Sequence, residues 1–317
     1  MTTMRAVRAH KRGGAEELVY ETAPRPVPAE GEVLVAVNAA SITNGELGWD
    51  ATWTDSFDGT GVDRTPVVPS HEVSGVVAEL GPAVTGLAVG EEVYGLIPFT
   101  RDGAAAEYVT VPAEALAAKP SRLAHADAAA LPLAALTAWQ ALVGHAALAP
   151  GQHVLIHGGA GGVGSLAVQI AAALGARVSA TAAAGDREFV AGLGADQVFD
   201  YIGDRFEDHV HDADVVLDTV GGQTQSRSWT TLRPGGTLVS IVQPPNPDDA
   251  ASRAARGVFF VVSPDRNGLE AITALIDQGR LTPVVDRVVS LSETRAAYEA
   301  LQTEHPRGKV VLRISEG

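Results

Sequence analysis

The sequence predicts an α/β protein of two domains, a β-rich one followed by a doubly wound parallel sheet. Three observations carry that reading. The chain has 317 residues, more than one hydrophobic core usually serves, and 46% of them are apolar. Its first third alternates in short strand-like runs between turn residues, and its middle repeats strand, glycine turn, helix. Near residue 120 the texture changes to alanine-rich helix.

Taken in order, residues 32–37, 75–79, 92–95 and 106–111 read as strands. They end at Pro24 to Pro28, Gly81-Pro82 and Pro112, because proline cannot donate to a ladder. Asp127 is placed to cap the start of the alanine-rich helical stretch that follows Ala126 and runs on through the neutral residues 131–139. Strands follow at 153–157, 176–181, 197–200, 214–218 and 237–241, with a helix over 163–174. Parallel neighbours need crossovers of that length, since no hairpin can join them. After Pro283 come a strand (284–291), a helix (292–303, with Ser292 and Arg295 at its start) and a strand (308–314), a tail we expect to return to the first domain. The expected division is 1–122 with 284–317, and 123–283.

Composition excludes several classes. Lys and Arg number 23 against 38 Asp and Glu, and a net charge of −15 repels polyphosphate backbones, so nucleic acid is not an expected partner. There is no cysteine, hence no disulfide, thiolate metal site or cysteine nucleophile. Arg5, Arg8, Lys11 and Arg12 are followed by no apolar stretch, unlike a signal peptide, and we expect a cytoplasmic protein. Residues 158–176 carry no charge, yet five glycines at one end argue for a buried α/β element rather than a membrane span.

The strongest local signal is Gly159-Ala160-Gly161-Gly162-Val163-Gly164, after a strand and before a helix. Glycine lets the turn curl and lets a diphosphate approach main-chain amides at a helix N-terminus, and Gly164 lets helix and strand pack closely. About twenty residues on, an acid at the end of the second strand would grip the ribose 2′-hydroxyl of NAD(H). None is there: the strand ends in small neutral residues, and Arg187 follows, suited to a 2′-phosphate. NADPH is the expected cofactor. Trp49 and Trp53 flank a turn-rich stretch, 54–64, expected to be a mobile loop bordering the substrate. Residues 244–249 read as a solvated connection.

These segments together resemble the medium-chain dehydrogenase/reductase superfamily in its zinc-free quinone oxidoreductase branch. The likeness rests on residues 28–35, Ser70-His71-Glu72 through Val77, 90–94, 105–109, 131–140, the glycine turn and 307–312, and covers nearly the whole chain. It implies a GroES-like β domain built from both chain ends, a Rossmann domain between, and a substrate cleft at their junction. It also implies that Thr137 meets the nicotinamide ribose or phosphate, Gly161, Gly162 and Val163 the diphosphate, Thr181 and Arg187 the adenosine end, and Tyr201 the 2′-phosphate. Ser240, Ile241, Val242, Phe259, Phe260, Val261 and Lys309 would complete the pocket. His71-Glu72 matches the histidine and acid of zinc-binding relatives, but Thr43 and residues 133–135 stand where their cysteines would, and two ligands are too few for zinc. Without a Lewis acid, hydride transfer to a quinone or an enone is the expected reaction, with Tyr94, Asn44 and Glu46 as candidate donors near the developing oxyanion, Thr43, Trp49 and Trp53 at the substrate, and His71 or solvent as other proton sources. A homodimer joined through the apolar strand at 257–262 is expected from the same likeness. Two other readings stand beside it: an NADPH-binding structural or sensor protein with little catalysis, and a dedicated biosynthetic enoyl reductase.

Overall fold

The structure, a computed structural model, describes residues 2–315. In chain order its strands are β1 (Thr3–Ala9), β2 (Leu18–Pro24), β3 (Glu32–Ile42), β4 (Glu72–Leu80), β5 (Glu92–Leu96), β6 (Tyr108–Pro112), β7 (Leu116–Ala118), β8 (His153–Ile156), β9 (Arg177–Ala182), β10 (Gln197–Asp200), β11 (Ala213–Asp218), β12 (Leu232–Ser240), β13 (Arg256–Phe259), β14 (Val285–Ser290) and β15 (Lys309–Arg313). The chain divides into two compact units. One holds the residues up to Leu133, Ser263–Thr273 and those from Pro283 onward; the other holds Ala134–Val262 and Ala274–Thr282.

The first unit is the β-rich one. Its larger sheet runs β14-β15-β3-β4-β5-β7, with β6 also on β3, and β1 and β2 form a separate hairpin. Every pairing is antiparallel except β14 with β15. β3 is long because its β-branched run, Val33, Val35, Val37 and Ile42, is buried against neighbours on both edges. The tail closes this sheet through β15, which places Val310, Val311 and Leu312 in the core opposite β3. The unit extends past the expected boundary at 122 because Ala129 and Ala130 pack with Ala39 and Val311, and the Leu133 amide donates to Glu72.

The second unit is a six-stranded, wholly parallel sheet in the order β10-β9-β8-β11-β12-β13. Numbered within the unit this is 3-2-1-4-5-6, the doubly wound order, and the direction of winding reverses beside β8. The carboxyl ends of all six strands therefore share one edge of the sheet. Among the described residues no helix is long and apolar enough to cross a membrane.

Several local expectations change. The C-terminal helix, Thr294–Leu301, is led into by a 3₁₀ turn, Leu291–Glu293, which Ser290 and Glu293 cap in a reciprocal capping box, two residues before Ser292. Residues 247–252 form a helix, Pro247–Ser252, with Asn246 accepting from the Asp248 amide and proline at the first turn, where its missing N–H costs nothing. The stretch 54–64 is tied to itself rather than loose. Asp55 accepts from Val62 N, Ser56 Oγ from Gly61 N, Asp58 from Thr60, and Arg64 N reaches Trp53 O. Short polar side chains satisfy this backbone in place of a ladder.

Candidate functional site

The glycine turn lies at the end of β8, where the winding reverses. The helix Gly162–Ala173 starts from it with Gly161 at the N-cap, so the first amides of that helix have no intrahelical acceptor and face outward as donors. Two glycines are sterically required. Gly158 sits at φ +67, and a Cβ at Gly164 would stand 2.1 Å from the Gly158 carbonyl oxygen. Gly161 differs: its nearest neighbour would be 3.4 Å away, so the protein itself leaves room there. That open amide-lined turn is a cradle a side chain would fill, and it fits a dinucleotide diphosphate.

The other sequence-selected residues of this unit lie along the same edge in the order of the strands. Tyr201 follows β10 and is 55% exposed; Thr181 ends β9 and Arg187 opens the helix after it. Ser240, Ile241 and Val242 follow from β12, and Phe259, Phe260 and Val261 from β13, with Phe260 against the His145 ring at 4.5 Å. Thr137 is buried in the helix Pro132–Trp139. Arg187 is half-exposed and ion-paired with Asp204, whose carboxylate also accepts from the Asp200 amide.

Two of these residues are not free to act as ligands through their side chains. Ser240 is buried, its hydroxyl donating to Asp218 at 2.9 Å, and Thr181 is buried with its hydroxyl between the His157 ring and the Gly158 amide. Sequence reasoning passed over both partners. Asp218 is fully buried yet fully satisfied, accepting from Val220 N, Gly221 N, Gln225 Nε2 and Ser240 Oγ, which ties the β11 loop to the end of β12. His157 is buried too, and burial pushes it down to about 4, so the ring is neutral. The signal available for it was a polar ring directly after the apolar Val154-Leu155-Ile156 and before the glycines.

The candidates of the first unit stand differently from expectation. Tyr94 is wholly buried, its hydroxyl donating to Leu269 O at 2.8 Å and meeting Thr273 Oγ1 at 2.8 Å, so it is a packed strand aromatic and not a proton donor to a substrate. Trp53 is 2% exposed with its indole N–H on Leu47 O, which removes it from any substrate surface; Trp49 is half-buried, edge-on to Phe99 at 5.1 Å. Asn44 is exposed and lines a cavity of about 450 Å³ with Arg12, Leu47 and Tyr298. Lys309 is not an open cofactor ligand: it is buried, with its ammonium 2.6 Å from Glu72 and 2.9 Å from Thr43.

Glu46 is buried rather than a surface acid. Its Oε1 accepts from Ser70 N at 3.0 Å, while Oε2 and His71 Nδ1 have no hydrogen-bond partner and face each other at 3.6 Å. His71 Nε2 meets the Arg101 carbonyl, which only accepts, so that nitrogen carries a hydrogen. The two unpartnered atoms thus lie side by side in the core without a hydrogen bond between them.

A parallel sheet of this order with a glycine turn beside its reversal point defines a Rossmann-type unit, here in one chain with a GroES-like one. The family model described as "Alcohol dehydrogenase GroES-like domain" matches residues 29–121, and that described as "Zinc-binding dehydrogenase" matches 193–312. The chain is 32% identical to a probable zinc-binding oxidoreductase, mitochondrial, of Arthroderma benhamiae, over 95% of this chain and 94% of that protein. It is 35% identical to an NADPH-dependent alkenal/one oxidoreductase, chloroplastic, of Arabidopsis thaliana, over 78% and 64% of the two chains. Among solved structures, the quinone oxidoreductase from Coxiella burnetii superposes with a TM-score of 0.90 at 30% identity, over 99% of this chain and all of that one. The chain belongs to the medium-chain dehydrogenase/reductase superfamily of oxidoreductases, among its zinc-binding and quinone oxidoreductase members.

Zinc is tested by the residues present. Among the described residues no three or more His, Asp or Glu form a group able to hold a metal ion, and the chain has no cysteine. Glu72, the acid beside His71, spends one oxygen on Lys309 and the other on the Leu133 amide. These residues do not fit a zinc site.

Proposed function

We propose that this chain is an NADPH-dependent, zinc-independent reductase that delivers hydride to a quinone or to an alkene conjugated to a carbonyl. The observation that carries the reading is the Glu72–Lys309 pair: an internal ammonium neutralises the acid that a metal would need, leaving a chemistry in which the acceptor itself takes the negative charge. The Arabidopsis relative's name, with its alkenal and enone, supports the acceptor class, and that of the Coxiella structure supports a quinone.

When bound, the dinucleotide supplies a hydride at C4 of its nicotinamide. The chain's own work is to bind and orient. The outward amides of Gly162 and Val163 take the diphosphate, and the half-exposed Arg187 with Tyr201 flanks a 2′-phosphate that competes with Asp204 for the guanidinium. Hydride addition to an enone β-carbon leaves an enolate, and one proton completes the product. Since Tyr94 is sealed, that proton comes from solvent, with the exposed Asn44 amide as the side chain of its loop able to donate to an oxyanion.

NADPH consumption with a panel of quinones and enones, before and after treatment with a chelator, tests the proposal. Repeated turnover unchanged by chelation is expected, and Arg187→Ala raises the Kd for NADPH by about tenfold or more while leaving NADH nearly unchanged. Dinucleotide binding without turnover on any acceptor would instead favour a sensor protein. Loss of activity on chelation refutes zinc independence, and equal weakening of both dinucleotides refutes the cofactor assignment.

A further inference from the structure

His157 directly follows β8 at the start of the turn, and each of its polar atoms is spent. Its amide donates to Leu217 O at 3.0 Å, and its carbonyl accepts from Thr219 Oγ1 at 2.8 Å. Its Nδ1 lies 3.1 Å from Thr181 Oγ1 and its Nε2 2.8 Å from Ser228 Oγ, while the ring meets Phe206 edge-on at 4.8 Å.

The direction of each hydrogen bond follows from the far end. Ser228 donates its hydroxyl hydrogen to Thr224 O at 2.6 Å, so toward the ring it accepts, and Nε2 carries the hydrogen. Nδ1 is then bare and accepts from the Thr181 hydroxyl. With that hydrogen directed to the ring, the Thr181 oxygen accepts from the Gly158 amide at 3.3 Å. One oriented chain thus runs from the Gly158 N–H through Thr181 and His157 to Ser228 and the helix Gly222–Ser228.

Gly158 is the pivot of the turn. Its carbonyl accepts from Gly161 N at 3.0 Å and is the atom against which Gly164 packs. Gly158 thus joins a peptide unit held by Thr181 through its N–H to the next one, whose carbonyl holds Gly161 N, so fixing the first constrains where the amides of Gly161 to Val163 point.

We infer that His157 is a positioning residue for dinucleotide binding, orienting the diphosphate turn through Thr181 without touching the ligand. This rests on the proposed dinucleotide-binding reading. It also reassigns Thr181 from adenosine contact to support of the turn, and it makes the two side chains one device: removing either hydrogen-bonding partner has the same effect as removing both.

The test uses the full chain with NADPH and NADH as probes, reading Kd by fluorescence titration, kcat and KM at saturating dinucleotide, and Tm. His157→Leu and Thr181→Val keep volume and lose the chain. Each raises Kd for both reduced dinucleotides about tenfold, with kcat at saturation within about twofold of the parent. The double variant is no weaker than either single one, while Thr181→Ser and His157→Gln restore most of the affinity. Leu232→Ala, in the core at the start of β12 and thus at the opposite end of the sheet, calibrates a purely structural loss: Tm falls and Kd stays. If His157→Leu does not fold, Thr181→Val carries the test alone. A Kd in these variants no higher than in Leu232→Ala at equal Tm loss overturns the inference alone. A parent protein that binds neither dinucleotide overturns the functional reading and this inference with it.

Discussion

Gly164→Ala and Gly161→Ala separate what the glycine turn needs for itself from what it offers a ligand. At Gly164 an added Cβ would lie 2.1 Å from Gly158 O, 2.7 Å from Gly158 C and 3.0 Å from Gly159 Cα. All three are backbone atoms, so no rotamer change relieves the clash. Restoring ordinary contact requires helix and turn to part by about 1.3 Å, an overpacking that costs about 1–3 kcal/mol. Displacing a binding element by about 1 Å costs on the order of a hundredfold in function, so the Kd for reduced dinucleotide rises by about that factor. At Gly161 the nearest atom would be 3.4 Å away and φ is −75, a conformation alanine adopts freely, so folding loses at most about 1 kcal/mol from the poorer cap. The methyl instead occupies the space a diphosphate needs, and affinity falls about a hundredfold with little change in stability. Chemical denaturation and fluorescence titration on the two variants read both quantities. Parent-like affinity in Gly161→Ala would refute the argument that the ligand meets the main chain there, and parent-like stability in Gly164→Ala would refute the packing argument.

Lys309→Met strands the Glu72 carboxylate in the core and lowers stability by about 3–5 kcal/mol in urea, while Glu72→Gln/Lys309→Met recovers most of it; a single-variant loss below about 1 kcal/mol would show the pair to be hydrated. His157, faced by the charges of Asp218, Arg227 and Glu207, stays neutral in the fold down to about pH 4, whereas the unfolded chain binds its proton below about pH 6.5, so stability declines by up to about 3 kcal/mol as pH falls through that window. Denaturation midpoints compared at about pH 7 and about pH 4.5 show most of that decline missing in His157→Gln, and an equal decline in both would place the charge change elsewhere.

What the sequence disclosed depends on how local the cause is. The glycine turn was legible because its demands, a positive φ at Gly158 and no Cβ at Gly164, are met within seven consecutive residues. The β-branched runs of β3, β8 and β11 were legible for the same reason. β1 was hidden because Arg5 and Arg8 made its start read as a charged terminus, although Arg5 reaches Thr22 and the mostly buried Arg8 reaches Glu21 across the hairpin while Met4, Ala6 and Val7 are buried. The helix Arg266–Asp277 was hidden by Asn267-Gly268 near its start, yet Leu269, Ile272, Leu275 and Ile276 are buried at helical spacing. Tyr94, Trp53 and Lys309 were misjudged for another reason. Their partners are Leu269, Leu47 and Glu72, and only for Trp53 is the partner near in sequence.

That contrast separates the two halves of the proposed chemistry. Diphosphate recognition is done by main-chain amides, which every residue carries, so the sequence needs only to keep side chains out of the way, and it does so in one contiguous stretch. The proposed acceptor chemistry depends on side-chain charge, and here Glu72 and Lys309, from different segments of the first unit, neutralise each other. The Glu72–Lys309 pair is internally compensated, the carboxylate by the ammonium. That pair leaves neither a free carboxylate to attract a metal nor a free ammonium to bind an oxyanion permanently. On the proposed reading, an acceptor that becomes an enolate or hydroquinone anion after hydride addition meets no uncompensated charge from this pair and is released by protonation, as a reductase without a Lewis acid requires.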